Sequence, residues 1–268
     1  DRLALFAQLA TRLTTESFVA VSERPESERR LHAFWEAYFS NYIEGTVFTI
    51  QEAREIVFDR KLPEARPKDA HDILSTFHLA TDGHNRRETP RDAADFLRLL
   101  EVRHARLMHD RLDVGPGRFK ETANRVGTRE FVAPELARGT LRNAFELGRH
   151  LAQPVTRGAF MMFLVAEVHP FNDGNGRLAR LFLNAELTAV GNGRLIVPTS
   201  LRGDYLSCLE ALTVGGNPAP FLGLMARLVR FSAELPCGSW EHSVTALEKS
   251  GALKDAPAGS WGLTNVML

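Results

Sequence analysis

Cysteine is nearly absent from this 268-residue chain, which has only Cys208 and Cys237. They form no Cys-x-x-Cys pair and no zinc-ligand spacing, which excludes a disulfide framework and fits the reduced thiols of a cytoplasmic protein. Long apolar runs are missing too. The longest, Ala159 to Ala166, falls well short of the roughly 18 residues that suggest a membrane span and reads as a buried helix. Nor is there an excess of charge of either sign. The 33 Lys and Arg residues match 33 Asp and Glu residues, so no global field recruits nucleic acid or an anionic membrane. No repeat, low-complexity tract or signal peptide is visible, although a start at Asp1 rather than Met weakens that last observation. Strand signals are almost confined to one place. What remains is ordinary globular material, 44% hydrophobic, enough for the core of one large domain or of one domain with a small appendage.

Helical periodicity dominates. Leu3, Phe6, Leu9, Ala10 and Leu13 mark a helix over about 1–14, and Leu31, Phe34, Trp35, Tyr38, Phe39 and Tyr42 mark a second that stops at Gly45. Thr49 and Glu52 form a capping box opening a helix through about Asp59. Helices are expected at about 68–81 and at 90–111, the latter with Thr89 as N-cap and Pro90 in the first turn. His104 and His109, five residues apart on it, do not fit His-Glu-x-x-His and read as ordinary surface or core histidines. Residues 118–133 around Gly127 read as a β-hairpin, with Arg118, Lys120, Arg125 and Arg129 as a solvated face in the plainer interpretation. Helices follow over Pro134 to Arg149 and Pro154 to Val168, the second apolar nearly all round and therefore central. Others are expected over about 201–212, 218–234 and 240–249.

The densest chemistry lies in Val168-His169-Pro170-Phe171-Asn172-Asp173-Gly174-Asn175-Gly176-Arg177-Leu178-Ala179-Arg180. Leu178, Leu181, Phe182, Ala185 and Ala189 place a helix start near Gly176, where unpaired N–H groups and the helix dipole attract an anion and the glycines leave room for it. Arg177 and Arg180, three apart near that positive end, call for negative charge such as a polyphosphate. Asp173 suits a hard cation such as Mg²⁺, and His169 is a proton acceptor near neutral pH. The three features together describe transfer from a nucleoside triphosphate to a hydroxyl. Gly174-x-Gly176-x-x-Ala179 also fits a dinucleotide fingerprint, but no βαβ unit surrounds it. The one candidate strand downstream, Leu195 to Pro198, ends in Thr199 and Ser200 rather than an acid. A glycine-rich helix cap with no ligand is the remaining plain reading.

His169 to Arg180 resembles the motif of the Fic family, His-Pro-Phe-x-Asp-Gly-Asn-Gly-Arg-x-x-Arg, at every specified position. The resemblance implies an all-α, Fic-like helical bundle with one β-hairpin flap, acting as an ATP- and Mg²⁺-dependent protein adenylyltransferase on a Ser, Thr or Tyr hydroxyl. It implies His169 as general base, Asp173 as Mg²⁺ ligand, and Gly174, Asn175 and Gly176 as the anion hole. Arg177 and Arg180 would contact phosphates, Phe171 would anchor the loop, and Tyr205 would lie near the nucleotide. A target segment would align along the flap near residues 118–133 by β-augmentation.

Ser40-x-x-x-Glu44-Gly45 resembles the family's inhibitory motif. Glu44, in the last turn of its helix, meets a negative dipole end and needs a cation, and the family places Arg180 opposite it. The implied division is an N-terminal helical region over 1–100 carrying the inhibitory helix, a catalytic core over 101–235, and a tail over 236–268 with one further helix. The same motif permits removal of AMP, transfer of another phosphate-linked group, or a non-catalytic nucleotide-binding module. A kinase-like relative carries Lys where this chain has Gly174, so kinase chemistry is not expected. Target, oligomeric state and trigger are not legible.

Overall fold

A computed structural model describes residues 2–126 and 129–259 of the chain. Among these, the helical periodicities become eleven α-helices: α1 Arg2–Thr14, α2 Glu26–Ile43, α3 Ile50–Phe58, α4 Pro67–Thr81, α5 Ala93–Leu107, α6 Pro134–Gly148, α7 Pro154–Val168, α8 Asn175–Thr188, α9 Arg202–Gly215, α10 Ala219–Glu234 and α11 Trp240–Lys249. The only sheet among the described residues is the antiparallel pair β1 Arg125–Val126 and β2 Arg129–Glu130, with Arg125 opposite Glu130 and Val126 opposite Arg129. The expected class, all-α with one hairpin, is the observed one. No described helix is long and apolar enough to cross a membrane.

Helix α7 is central because it is apolar nearly all round, so its neighbours gain by burying it. Phe6 of α1 meets Phe160 and Phe163 edge-on at centroid distances of 6.2 and 5.8 Å. Helix α8 comes close at Gly158, where an added Cβ would lie 2.8 Å from both the backbone oxygen and Cδ1 of Leu183. This close pairing suspends the loop between α7 and α8, which carries the motif, from two rigid supports.

A second apolar cluster gathers the aromatic face of α2. Trp35 stacks on Trp240 of α11 at 5.3 Å, and Phe34 packs on Phe58 and Trp240. The polar side of α2 is also buried: Glu36, Ser40 and Asn41 are all nearly inaccessible. Such groups are costly in an apolar interior unless paired. They are paired with α8 and the strand-like segment after it. Asn184 Nδ2 and Arg194 Nη1 donate to Glu36 at 2.9 and 2.5 Å, Arg180 Nε donates to Ser40 Oγ at 2.8 Å, and Arg177 reaches Asn41 Oδ1. Helix α2 thus ends at a fixed height over α8. Its C-terminus closes as a Schellman motif, with Gly45 at φ 92° donating to Tyr42 O and Thr46 N donating to Asn41 O.

Several boundaries differ from the periodicity. Helix α5 is capped by Asp92, whose Oδ1 accepts from Asp95 N at 2.8 Å, and not by Thr89, and it ends at Leu107 rather than near 111. The short Asp92 side chain reaches the third amide of the helix directly, leaving Pro90 outside. Segment 195–197 forms no strand among the described residues. Side chains satisfy its backbone instead: Leu195 N donates to Asn184 Oδ1, Asn184 Nδ2 to Leu195 O, and Ile196 N to Ser232 Oγ. The hairpin is shorter than 118–133, because Lys120 N donates to Pro170 O at 2.8 Å, tying the lower arm to the motif loop. The expected turn residue Gly127 lies outside the described residues.

Gly158→Ala should cost about 1 to 3 kcal/mol, since the clash is with backbone and cannot be relieved by a rotamer change. Gly223→Ala in α10, where an added Cβ meets nothing within 4 Å, should instead stabilise by roughly 0.5 to 1 kcal/mol. Urea unfolding of both variants checks the pair.

Candidate active site

The loop from α7 to α8 is over-determined by its own side chains. His169 caps α7 in the left-handed region, φ 52° and ψ 59°, and donates its backbone N–H to Val165 O. A non-glycine residue in that region is held there by its surroundings. Asn175 provides much of the hold: its Oδ1 accepts from Phe171 N at 2.9 Å and its Nδ2 donates to Phe171 O at 2.8 Å. Its side chain therefore locks the loop, leaving the backbone for an anion. Phe171 is fully buried, as expected of an anchor, and lies flat on His104 at 3.7 Å and 5°. His104 Nδ1 accepts from Gly117 N at 2.9 Å, which assigns the proton to Nε2, the donor to Asp173 O at 3.0 Å. Burial pushes the His104 pKa down to about 4. His104 is thus a buried loop support, more specific than the ordinary histidine of the sequence reading.

His169 presents a base. Nδ1 lies 3.2 Å from Ala166 O, so it carries the proton and leaves the Nε2 lone pair free. Phe131 from the far arm of the hairpin stacks on the ring at 3.8 Å and 12°. Burial pushes the His169 pKa down to about 4, against a smaller opposing pull from Glu44. The imidazole is therefore neutral throughout the physiological range. His169, Glu44, Gly176, Arg180 and Tyr205 line one cavity of about 300 Å³. A cavity of about 350 Å³ at the start of α2 is lined by Arg24, Arg30, Arg86 and Arg194 but by no residue of the motif. The base and the helix start are in the first, so the chemistry belongs there.

Glu44 occupies the expected anion seat. Its Oε1 accepts from Arg180 Nη2 at 2.7 Å. An added Cβ on Gly176 would fall 2.1 Å from the same oxygen, so the carboxylate lies directly against the first turn of α8. Burial works to raise the Glu44 pKa, but Arg180 outweighs it and holds the carboxyl below its usual value. Arg180 also donates to Ser40 Oγ and Ser40 O at 2.8 Å each, and Tyr205 offers its hydroxyl at 3.5 Å. Ser40, Glu44, Arg180 and Tyr205 are thus brought together.

Arg177 goes elsewhere. Its guanidinium pairs with Asp72 Oδ2 at 2.9 Å, lies 3.7 Å from Asp173 and reaches Asn41 Oδ1 at 3.4 Å, so it joins α4 to α2 and does not face Glu44 as Arg180 does. Asp72 also binds Arg111 at 3.0 Å. Asp173 accepts from Gly174 N at 2.6 Å through Oδ1, leaving Oδ2 near Arg111 at 3.4 Å with the side chain 39% exposed. The carboxylate is thus partly exposed, with Oδ2 facing the guanidinium groups of Arg111 and Arg177, and a hard cation held there with substrate phosphates would use that oxygen.

Lys120 and Arg129 of the hairpin region are not a solvated face. Lys120 is buried, which lowers its pKa to about 8, and donates to Asn124 Oδ1 at 2.6 Å. Asn124 Nδ2 donates to Phe171 O at 2.9 Å, and Arg129 pairs with the buried Glu167. Arg125 and Val126 do face solvent. Sequence reasoning missed Asp72, Asn124, Phe131 and Glu167. Phe131 carried the only local signal, an aromatic at the base of a predicted hairpin.

An NMR titration of the nucleotide-free protein should place the His169 midpoint near 4 rather than at the ordinary 6.5. Because burial favours the neutral form, the native state should lose stability as pH falls from 6.5 towards 4. Phe131→Ala, which admits water to the ring, should move the midpoint upward. A midpoint of 6.5 in the parent protein would contradict the burial.

Comparison with known proteins gives a family match and similar folds. Residues 96–187 match the family model described as Fic/DOC family. The chain is 30% identical over 166 residues to a protein adenylyltransferase of Caenorhabditis elegans, fic-1, covering 60% of this chain and 32% of that protein. It is 28% identical over 222 residues to the protein adenylyltransferase Fic of Drosophila grimshawi, covering 79% and 45%. The chain thus spans less than half the length of these relatives. In fold it is similar to a Fic domain-containing signaling protein from Bacteroides thetaiotaomicron, at a TM-score of 0.67 and 20% identity over 88% of this chain and 95% of that one. It is also similar to a part of C. elegans Fic-1, at a TM-score of 0.62 and 21% identity over 87% and 69%. The similarity to the Fic/DOC family thus centres on residues 96–187, which include the motif loop held between α7 and α8.

Proposed function

We propose that this chain transfers AMP from ATP to a hydroxyl side chain of a target protein and that α2 restrains the reaction through Glu44. The observation that carries both halves is the seat at the start of α8. It is built for an anion, opens beside a neutral histidine, and holds the Glu44 carboxylate. In the reaction His169 Nε2 takes the hydroxyl proton. The hydroxyl oxygen bonds to the α-phosphorus, the bond from that phosphorus to the bridging oxygen of the β-phosphate breaks, and pyrophosphate leaves. The backbone of Gly174 to Gly176 cradles the phosphates, Arg180 takes the γ-phosphate, and Tyr205 flanks the nucleotide. Asp173 would hold Mg²⁺, which supplies charge neutralisation for the triphosphate. The exposed edge of the hairpin at Arg125 and Val126 offers a place for a target segment to align.

Restraint follows from competition. Glu44 and a γ-phosphate need the same guanidinium, and two anions cannot share so small a seat. Breaking a buried pair costs roughly 3 to 5 kcal/mol, against about 0 to 1 for an exposed one. With Arg180 buried and the Glu44 side chain 29% exposed, a bias of about 3 kcal/mol is reasonable, equivalent to roughly a 150-fold population shift. A second reading, hydrolytic removal of AMP, draws on the fact that Glu44 and His169 line one cavity, where the carboxylate could orient a water.

Incubation with ATP labelled at the α- or at the γ-phosphorus separates the readings. Glu44→Gly should label protein at least about tenfold faster than wild type. Adding His169→Ala should abolish labelling, consistent with the roughly 10² to 10⁴ that a general base contributes. Arg180→Ala should not activate, since it removes the phosphate ligand along with the inhibitory contact. Asp173→Ala should leave a very low activity insensitive to added Mg²⁺. Label from the γ-phosphorus would indicate a kinase. No gain in a folded Glu44→Gly variant would defeat the inhibitory assignment, and release of AMP from modified target by wild type would favour hydrolysis.

A further inference from the structure

One group of donor atoms lies outside the site described so far. His71 on α4 and His109, in the turn after α5, aim ring nitrogens at each other, with His71 Nε2 and His109 Nδ1 2.8 Å apart. Asp110 stands beside them, and one donor atom from each of the three lies within 4.8 Å of the other two. His71 is buried, while His109 and Asp110 are exposed. The tautomer of His71 is fixed by its other side: Nδ1 faces Asp72 Oδ1 at 3.2 Å, so the proton sits on Nδ1 and the lone pair on Nε2. The backbone N–H of Asp110 approaches the same Nε2 at 3.3 Å, as expected of an acceptor. A carboxylate behind an imidazole in this way is the arrangement that orients metal-bound histidines.

We propose that His71 Nε2, His109 Nδ1 and a carboxylate oxygen of Asp110 bind one divalent transition-metal ion, with Zn²⁺ the best fit; the proton that His109 Nδ1 holds between His71 Nε2 and Arg106 O leaves that nitrogen as the ion binds. Two imidazoles and one carboxylate suit Zn²⁺ and its late first-row neighbours, whereas Mg²⁺ prefers oxygen donors. Three protein ligands leave a fourth position open to water. The two imidazoles are nearly placed for this, and the carboxylate is not. Nitrogens about 2.0 to 2.1 Å from a tetrahedral ion stand roughly 3.3 Å apart, so the two rings need to separate by only about half an ångström. The two exposed residues have room for this. Asp110, now 3.2 Å from His109 Nε2, has to turn from one side of that ring to the other.

The ion would stand at the outer end of a continuous chain of contacts. Asp72 orients His71 with one oxygen and with the other holds Arg177 and Arg111, both of which reach Asp173 in the motif loop. Asp72 is here a positioning residue for the metal ligand and for the loop.

The test uses the chain without a polyhistidine tag, stripped of metal and dialysed against Zn²⁺ in the presence of excess Mg²⁺ and no nucleotide, so its outcome is independent of AMP transfer. One equivalent of Zn²⁺ should be retained per chain. His109→Ala and Asp110→Asn, both at exposed positions and checked for folding by circular dichroism, should each weaken retention at least about tenfold. His242→Ala, at an unrelated surface histidine, should not. Co²⁺ in place of Zn²⁺ should give the visible absorption of a low-coordinate site in wild type and His242→Ala and in neither ligand variant. The proposal fails if wild type retains no stoichiometric Zn²⁺, which would leave a histidine–histidine hydrogen bond alone, or if His109→Ala binds as wild type does.

Discussion

Arg180 is a permanent cation withdrawn from water, and most of what surrounds it follows from the need to give it acceptors. Its side chain is 4% exposed, a position that is costly unless every donor is met. Ser40 meets it twice, through hydroxyl and carbonyl, from a position on α2 that is itself buried. Tyr205 adds a hydroxyl, and Glu44 adds charge. These acceptors are not equivalent. The Ser40 contacts belong to a helix pinned by aromatic packing, whereas Glu44 sits at a helix end next to a glycine turn with a partly exposed side chain. The one anionic acceptor is therefore also the one that another anion can replace.

The rest of the molecule keeps that exchange local. Helix α2 belongs to the second apolar cluster, with Trp35 and Phe34 facing α11 and a polar edge of Glu36, Ser40 and Asn41 facing α8. Moving it as a body would uncover buried charge along the whole edge, not only at Glu44. The loop at the other side of the cavity is equally fixed, by the Asn175 bracket, by Phe171 on His104, and by Asn124 reaching across from the hairpin. The base, the seat and the cation are thus each held by several contacts, and the Glu44 side chain by its ion pair with Arg180.

Much of this was legible in the sequence because it is local. The helix start at the glycines, the Gly45 stop, the Thr49 capping box and the central position of α7 each rest on a few neighbouring residues. Glu44 and Arg180 could be paired in advance because both stand at helix ends with unfavourable dipoles, and the family resemblance supplied their proximity. The divergence of Arg177 was not legible. Three residues apart on a helix puts two arginines near each other, but their long side chains then follow their partners, and Asp72 on α4 is more than 100 positions away. Asn124 and Glu167 were invisible for the same reason: short polar residues with no local pattern whose meaning comes from distant backbone carbonyls and guanidinium groups. The segment 195–197 looked like a strand because it is apolar and bounded by turns, yet two side chains satisfy its backbone without a sheet.

The central claim is that Glu44 and the terminal phosphate of ATP compete for Arg180, and nucleotide affinity measures this without turnover. In a His169→Ala background, the affinities for Mg²⁺-ATP and Mg²⁺-ADP can be compared by calorimetry with and without Glu44→Gly. Competition predicts that removing Glu44 tightens ATP at least about tenfold while ADP, which lacks the γ-phosphate, changes little. Equal tightening of both nucleotides, or no change for ATP, would contradict it.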